Sequence, residues 1–186
     1  ESREMTGNPS NAMQHVDPEP IATALESMAT STHVAVIVDV DAVENSRSAR
    51  SDDRAMVLVL DGLTHVDIRI GLVHDRSTEQ SLGLHQKLRG SWLLRMPPEH
   101  AVAETRSRLF DPCIIMVSDQ RRFFEALGPS DRGLALGTNV GLGLPANVTA
   151  ICDLGLRPAL WWLVDARIRH RASISPPTES SIAGSS

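Results

Sequence analysis

The chain has no tyrosine, a single lysine (Lys87) and only two cysteines, Cys113 and Cys152, among its 186 residues. Two cysteines cannot build a disulfide framework, and no CxxC or Cys/His pair has zinc spacing. A reducing compartment, the cytoplasm, is the expectation. No apolar run approaches the ~18 residues of a membrane span, and the first residues lack the basic-then-apolar order of a signal peptide. Excess positive charge is also missing: the formal net charge is −5. That argues against a strongly basic binder of nucleic acid or anionic membrane. It does not exclude an enzyme that meets a phosphodiester through a bound metal. The basic charge is almost all arginine, which together with the missing tyrosine is read as the imprint of a GC-rich coding sequence.

What is present is ordinary for a globular chain: 41% hydrophobic and 22% charged residues. The length suits one domain with tails and a core large enough to need no staples. Residues 1–32 read as a flexible leader with a short helix from Pro20 to Ala29, whose Ile21, Leu25 and Met28 share one face. Residues 33–167 form the domain. From residue 168 to 186 the mixture of Arg, His, Ser and Pro reads as a disordered tail.

Val34–Val38 is a continuous β-branched and apolar run, the mark of a strand buried on both faces. Met56–Leu60 reads as another strand, and the alternation Val66, Ile68, Ile70, Leu72 behind Asp61-Gly62 reads as the second arm of a β-hairpin. Further on, helices are expected over 77–88 (a Ser77/Gln80 capping box), from Pro97 or Pro98 to Leu109, over 121–127 and over 146–154. Strands are expected at 91–95, 113–117, 133–136 and 159–164, the last placing Trp161 and Trp162 on opposite faces. Alternating strands and helices imply an α/β, Rossmann-like three-layer sandwich, its sheet mostly parallel with one antiparallel hairpin.

The acidic pattern carries the chemistry. The first strand runs into Asp39-Val40-Asp41, the strand at 113–117 into Ser118-Asp119, and the strand at 159–164 into Asp165. Ligands of open parallel sheets bind beyond the carboxyl ends of the strands, so these acids would share one edge. Clustered carboxylates repel and raise one another's pKa. A hard divalent cation such as Mg²⁺ or Mn²⁺ relieves that repulsion and can polarise a phosphoryl group and supply a hydroxide nucleophile. The simpler reading is that an aspartate at a strand end caps the next helix. Asp165 and Asp119, the latter at the start of a helix, fit that role and Asp61 fits a hairpin turn, but two acids at one strand end, Asp39 and Asp41, exceed what a cap requires. His65, His74, His85 and His100 form no HxxxH pair and read as surface residues. The loop Gly137–Pro145 could cradle an anion but is neither GxGxxG nor a P-loop.

Val-Ala-Val-Ile-Val-Asp-Val-Asp-Ala-Val-Glu-Asn-Ser (34–46) resembles the opening strand of NYN domains, the PIN-like nucleases. Ile-Ile-Met-Val-Ser-Asp-Gln-Arg-Arg-Phe (114–123) is similar to that family's later strand, which ends Ser-x-Asp-x-Asp-Phe. The resemblance spans roughly 34–140 and implies a Mg²⁺- or Mn²⁺-dependent ribonuclease acting on RNA. Its metal would be set among Asp39, Glu104 on the preceding helix and Asp119, with Asp41 available to the same ion. In register with Ser118 and Phe123, however, the family's two aspartates fall on Gln120 and Arg122. Arg121 or Arg122 could steady the phosphoryl charge. The stretch Asp39-x-Asp41-x-Val43 also fits the nucleophile motif of haloacid-dehalogenase-like hydrolases, although no lysine follows the strand ending at Ser118. A non-catalytic alternative rests on residues 56–110, within which 58–72 and 91–98 resemble STAS domains and imply a protein partner. The position of their regulatory serine falls on Ile68, and a STAS domain would start a helix where 66–72 alternates.

Overall fold

A computed structural model describes residues 18–46, 53–74, 78–88, 90–137, 143–151 and 153–175. Its elements in chain order are α1 (Pro18–Ala29), β1 (Val34–Asp39), α2 (Val40–Ser46), α3 (Asp53–His65), β2 (Ile68–Val73), α4 (Thr78–Lys87) and β3 (Trp92–Leu94). They continue with α5 (Pro98–Arg108), β4 (Cys113–Ser118), α6 (Arg121–Phe124), β5 (Arg132–Leu136), β6 (Val148–Ile151) and α7 (Asp153–Ile174). The strands form one sheet of order β3-β2-β1-β4-β5-β6, and every pair in it is parallel.

All six residues of β1 are buried, as an apolar run at the centre of a covered sheet requires. One face of the sheet packs against α1, α3 and α7 through Leu25, Leu60, Leu63, Leu160 and Leu163. The other packs against α5 and α6 through Val102, Phe123 and Phe124. This is the expected three-layer α/β sandwich.

Three expected elements are corrected. The antiparallel hairpin does not form: Met56–Leu60 lies inside α3, and β2 pairs in parallel with β1. Val59, Leu60, Leu63 and Val66 are the buried residues there, a helical spacing hidden within a β-branched run. Residues 148–151, expected in a helix, are the edge strand β6. Residues 159–164, expected as a strand, lie in the 22-residue helix α7, which contains Pro158. Its buried Leu156, Leu160, Leu163 and Val164 recur every three or four residues. Trp161 and Trp162 are therefore helical neighbours, each nearly half exposed.

The domain is also wider than 33–167. Helix α1 belongs to the core rather than to a leader, and α7 continues through 168–174. Residues 1–17 and 176–186, the remainder of the expected leader and tail, lie outside the described residues, as do Ser77 and Cys152. No helix among the described residues is long and apolar enough to cross a membrane.

Candidate active site at the carboxyl edge of the sheet

Strands β2 and β3 continue to one side of β1, and β4, β5 and β6 to the other. The order therefore reverses between β1 and β4, the position at which open α/β sheets bind ligands. Asp39 closes β1 and Ser118 closes β4, and Val38 pairs with Val117 one step before them. In parallel strands, register partners point to the same face. The Ser118 hydroxyl accordingly donates to Asp39 Oδ2 at 2.7 Å, across the switch point. The same hydroxyl accepts from the Gln120 amide at 3.2 Å, which orients it.

Asp39 serves two masters. Its Oδ1 accepts from the Ala42 amide at 3.3 Å, the N-cap contact of α2. Capping therefore explains one oxygen, while the other is held by a hydroxyl from a distant stretch of chain. The carboxylate is only 4% exposed. Burial drives its pKa from the ordinary 3.8 up to about 6; the charges of Asp119 and Asp41 push the same way, against the hydrogen bonds from Ser118 and Ala42. Asp41, in the first turn of α2, is buried as well. Asp119 is half-buried, and its Oδ1 is enclosed without a hydrogen-bond partner among the described residues.

Asp131 shows what a structural carboxylate looks like in the same fold. It is fully buried before β5, and its Oδ1 accepts from the Ile114 amide. Its Oδ2 accepts from the Gly128 amide and from Arg106. Both of its oxygens are spoken for; Asp119 has one that is not.

The structure thus gathers Asp39, Asp41 and Asp119 within electrostatic reach of one another. Glu104 is not brought to them. It lies on α5, where Arg108 Nε donates to its Oε1 at 2.7 Å, and it is absent from the charges that act on Asp39. Asp165, expected at a strand end, is exposed on α7 and paired with Arg169. Among the described residues no three His, Cys, Asp or Glu side chains converge as a ready-made metal cage. Arg121 donates to the Gly143 carbonyl at 2.9 Å, and Arg122 lies over the Phe123 ring. Residues 138–142 of the glycine-rich loop lie outside the described residues.

One residue at this edge was misread from sequence. His74 is buried rather than on the surface, and its Nε2 has no partner among the described residues. It stands one residue beyond Val73, the register partner of Asp39. Its place directly after the apolar alternation of β2 was the available signal. His74, Asp39 and Ser118-Asp119 therefore follow one another across the carboxyl ends of β2, β1 and β4.

No family model and no curated protein matches the chain. Among solved structures, a hypothetical protein from Xanthomonas campestris superposes with a TM-score of 0.59 at 14% identity, covering 91% of this chain and 97% of its own. A putative HAD superfamily (subfamily III A) hydrolase from Legionella pneumophila superposes with a TM-score of 0.59 at 13% identity, covering 84% of this chain and 94% of its own. At such identities the likeness establishes a shared Rossmann-like fold over nearly the whole domain.

Proposed function

We propose that this edge is the active site of a divalent-cation-dependent phosphoester hydrolase, of the phosphodiester-cleaving type that residues 34–46 and 114–123 resemble, with RNA as the substrate class. The observation that carries the reading is the buried Asp39 carboxylate, held across the switch point by Ser118 beside an Asp119 oxygen without a partner. A carboxylate with a raised pKa next to an unsatisfied acidic oxygen is a local deficit of positive charge. Mg²⁺ is commonly held by one or two carboxylates, with water and substrate oxygens completing its shell. Asp39 and Asp119 fit that donor set, and Asp41 adds negative charge beside it. When bound, such a cation would polarise the phosphoryl group and acidify an attacking water.

The chain's own residues have distinct tasks in this scheme. Ser118 and the Ala42 amide fix the orientation of Asp39. Burial keeps that carboxylate poorly hydrated and so ready to exchange its proton for a cation. His74 Nε2, buried without a partner among the described residues, is a further polar group at the same edge. Gln120 and Arg122, where the nuclease pattern has aspartates, reduce the acidic set to the one built around Asp39.

A second reading is favoured by Asp39-x-Asp41-x-Val43 at the end of β1 and by the hydrolase description of the Legionella structure. In it Asp39 would attack the phosphorus of a phosphomonoester, the P–O bond to the alcohol would break with the alcohol leaving protonated, and water would then hydrolyse the aspartyl phosphate to release phosphate and restore Asp39. The only lysine, Lys87, is exposed at the end of α4, away from the strand ending in Ser118, which departs from that family's pattern. The STAS-like module loses support from β2, a strand where that family would start a helix.

Purified protein incubated with end-labelled RNA and with p-nitrophenyl phosphate, each with Mg²⁺, Mn²⁺ or EDTA, separates the readings. Metal-dependent RNA cleavage that disappears in Asp39→Asn is expected. Turnover of the monoester alone would favour the Asp39 nucleophile. No activity on either substrate, with no change of Tm at millimolar metal, would remove the enzyme reading altogether.

A further inference from the structure

The opposite edge of the sheet is rich in arginine. A cavity of about 400 Å³ opens there, lined by Thr32 and His33 ahead of β1, Asp67 and Arg69 at the start of β2, and Arg167 and Arg171 on α7. Three arginines and one aspartate are among its lining residues. Asp67 is bonded to Arg171, so that pair is internally neutral. Arg69 is exposed and pairs with no carboxylate among the described residues.

Arg167 is the unusual member. It is only 6% exposed. Its Nη1 donates to the carbonyls of Ala29 at 2.7 Å and Ser31 at 2.5 Å, and its Nη2 to that of Thr32 at 3.2 Å. These contacts close the C-terminal end of α1 and account for two of its nitrogens. Among the described residues its Nε is buried with no partner and no anion is bonded to it; burial and the charge of Arg171 lower its pKa, with Asp67 opposing. A buried cation without a bonded counter-charge is costly, and capping carbonyls would not need two further arginines on the same wall.

We propose that this cavity binds the phosphate group of a small phosphorylated molecule, with Arg69 and Arg171 as its direct partners and the fixed charge of Arg167 beneath them. Guanidinium groups match the oxygen spacing of a phosphate with paired hydrogen bonds. The volume falls within the range of small-ligand pockets and leaves room for a sugar or nucleoside beside the phosphate. Asp67 competes with the ligand for Arg171.

Isothermal titration in EDTA with inorganic phosphate, pyrophosphate and AMP, at constant ionic strength set by chloride, tests this. Saturable binding is expected. The double variant Arg69→Gln/Arg171→Gln should weaken it by about tenfold or more, the loss of charge-assisted hydrogen bonds. Asp67→Asn should tighten it; the backbone there is left-handed, with φ 57°, a conformation that asparagine also tolerates. Circular dichroism and Tm of the variants verify that they fold. Asp39→Asn should leave binding unchanged, so failure here is distinguishable from failure of the hydrolase reading. Equal affinity for citrate, binding of an RNA oligomer without binding of phosphate or AMP, or indifference to both cavity variants would overturn the proposal.

Discussion

At the scale of single residues, Asp39 makes the sharpest statement because its protonation is tied to folding. Its folded pKa is raised from 3.8 to about 6, so the native state holds this proton more tightly than the unfolded chain does. Below the lower value both states are protonated and the shift has no effect. As pH rises through the window, the unfolded chain ionises first, and Asp39 destabilises the fold by about 3 kcal/mol once the pH exceeds the upper value. In EDTA at neutral pH, Asp39→Asn is therefore expected to raise stability by up to roughly that amount, measured by urea denaturation, and the gain should vanish near pH 4. Under the proposed function, a carboxylate whose removal stabilises the fold is the usual trade between stability and activity. Ser118→Ala tests the partner. Its hydroxyl favours the charged form of Asp39, so its loss should move the midpoint of this pH dependence upward. An unmoved midpoint would mean that the hydrogen bond is not formed in solution.

At the scale of elements, packing decides what local pattern leaves open. Gly133 in β5 lies under Phe124, and an added Cβ would sit 2.5 Å from that ring and 2.9 Å from Val148. Both neighbours are buried, and neither can step aside cheaply. Gly133→Ala should cost about 1–3 kcal/mol, read as a lower urea midpoint with unchanged slope. Close approach also explains where sequence reading went astray. Asp61-Gly62 has the form of a hairpin turn, yet Gly62 sits within α3, where Trp161 of α7 would lie 3.1 Å from a Cβ. Residues 146–154 read as a helix and 159–164 as a strand, but tertiary burial of Leu156, Leu160 and Leu163 carries α7 through Gly155 and Pro158. In contrast, β1, β4 and β5 were legible, because a buried parallel strand writes a continuous apolar run. The site was legible in part for the same reason. Asp39, Ser118 and Asp119 announce themselves by following such runs. Glu104 was placed by analogy alone, and local i,i+4 pairing with Arg108 claimed it. His74 directly follows the apolar alternation of β2, a signal the reading passed over, and its burial also depends on what surrounds the edge of the sheet.

At the scale of the whole molecule, charge is divided between the two ends of one sheet. Asp39 lies at the carboxyl end of β1, and Val34, at its start, lines the basic cavity. The intervening strand separates them by roughly 17 Å, beyond the Debye length of about 8 Å at physiological salt. No residue belongs to both sites, and the layers between are close-packed strands and helices. Sites so separated should act independently. Each ligand stabilises the native state by an amount set by its own concentration and affinity, about 2.7 kcal/mol at a hundredfold excess over Kd. Saturating Mg²⁺ and saturating AMP, added together, should therefore stabilise the chain by the sum of their separate effects, measured by urea denaturation. The Arg69→Gln/Arg171→Gln variant should lose the AMP component alone, and Asp39→Asn the Mg²⁺ component alone. If the two effects were strongly non-additive and both disappeared in Asp39→Asn, the phosphate would be binding on the cation at the acidic edge. The arginines of the opposite edge would then serve only to close the end of α1 and to pair with Asp67.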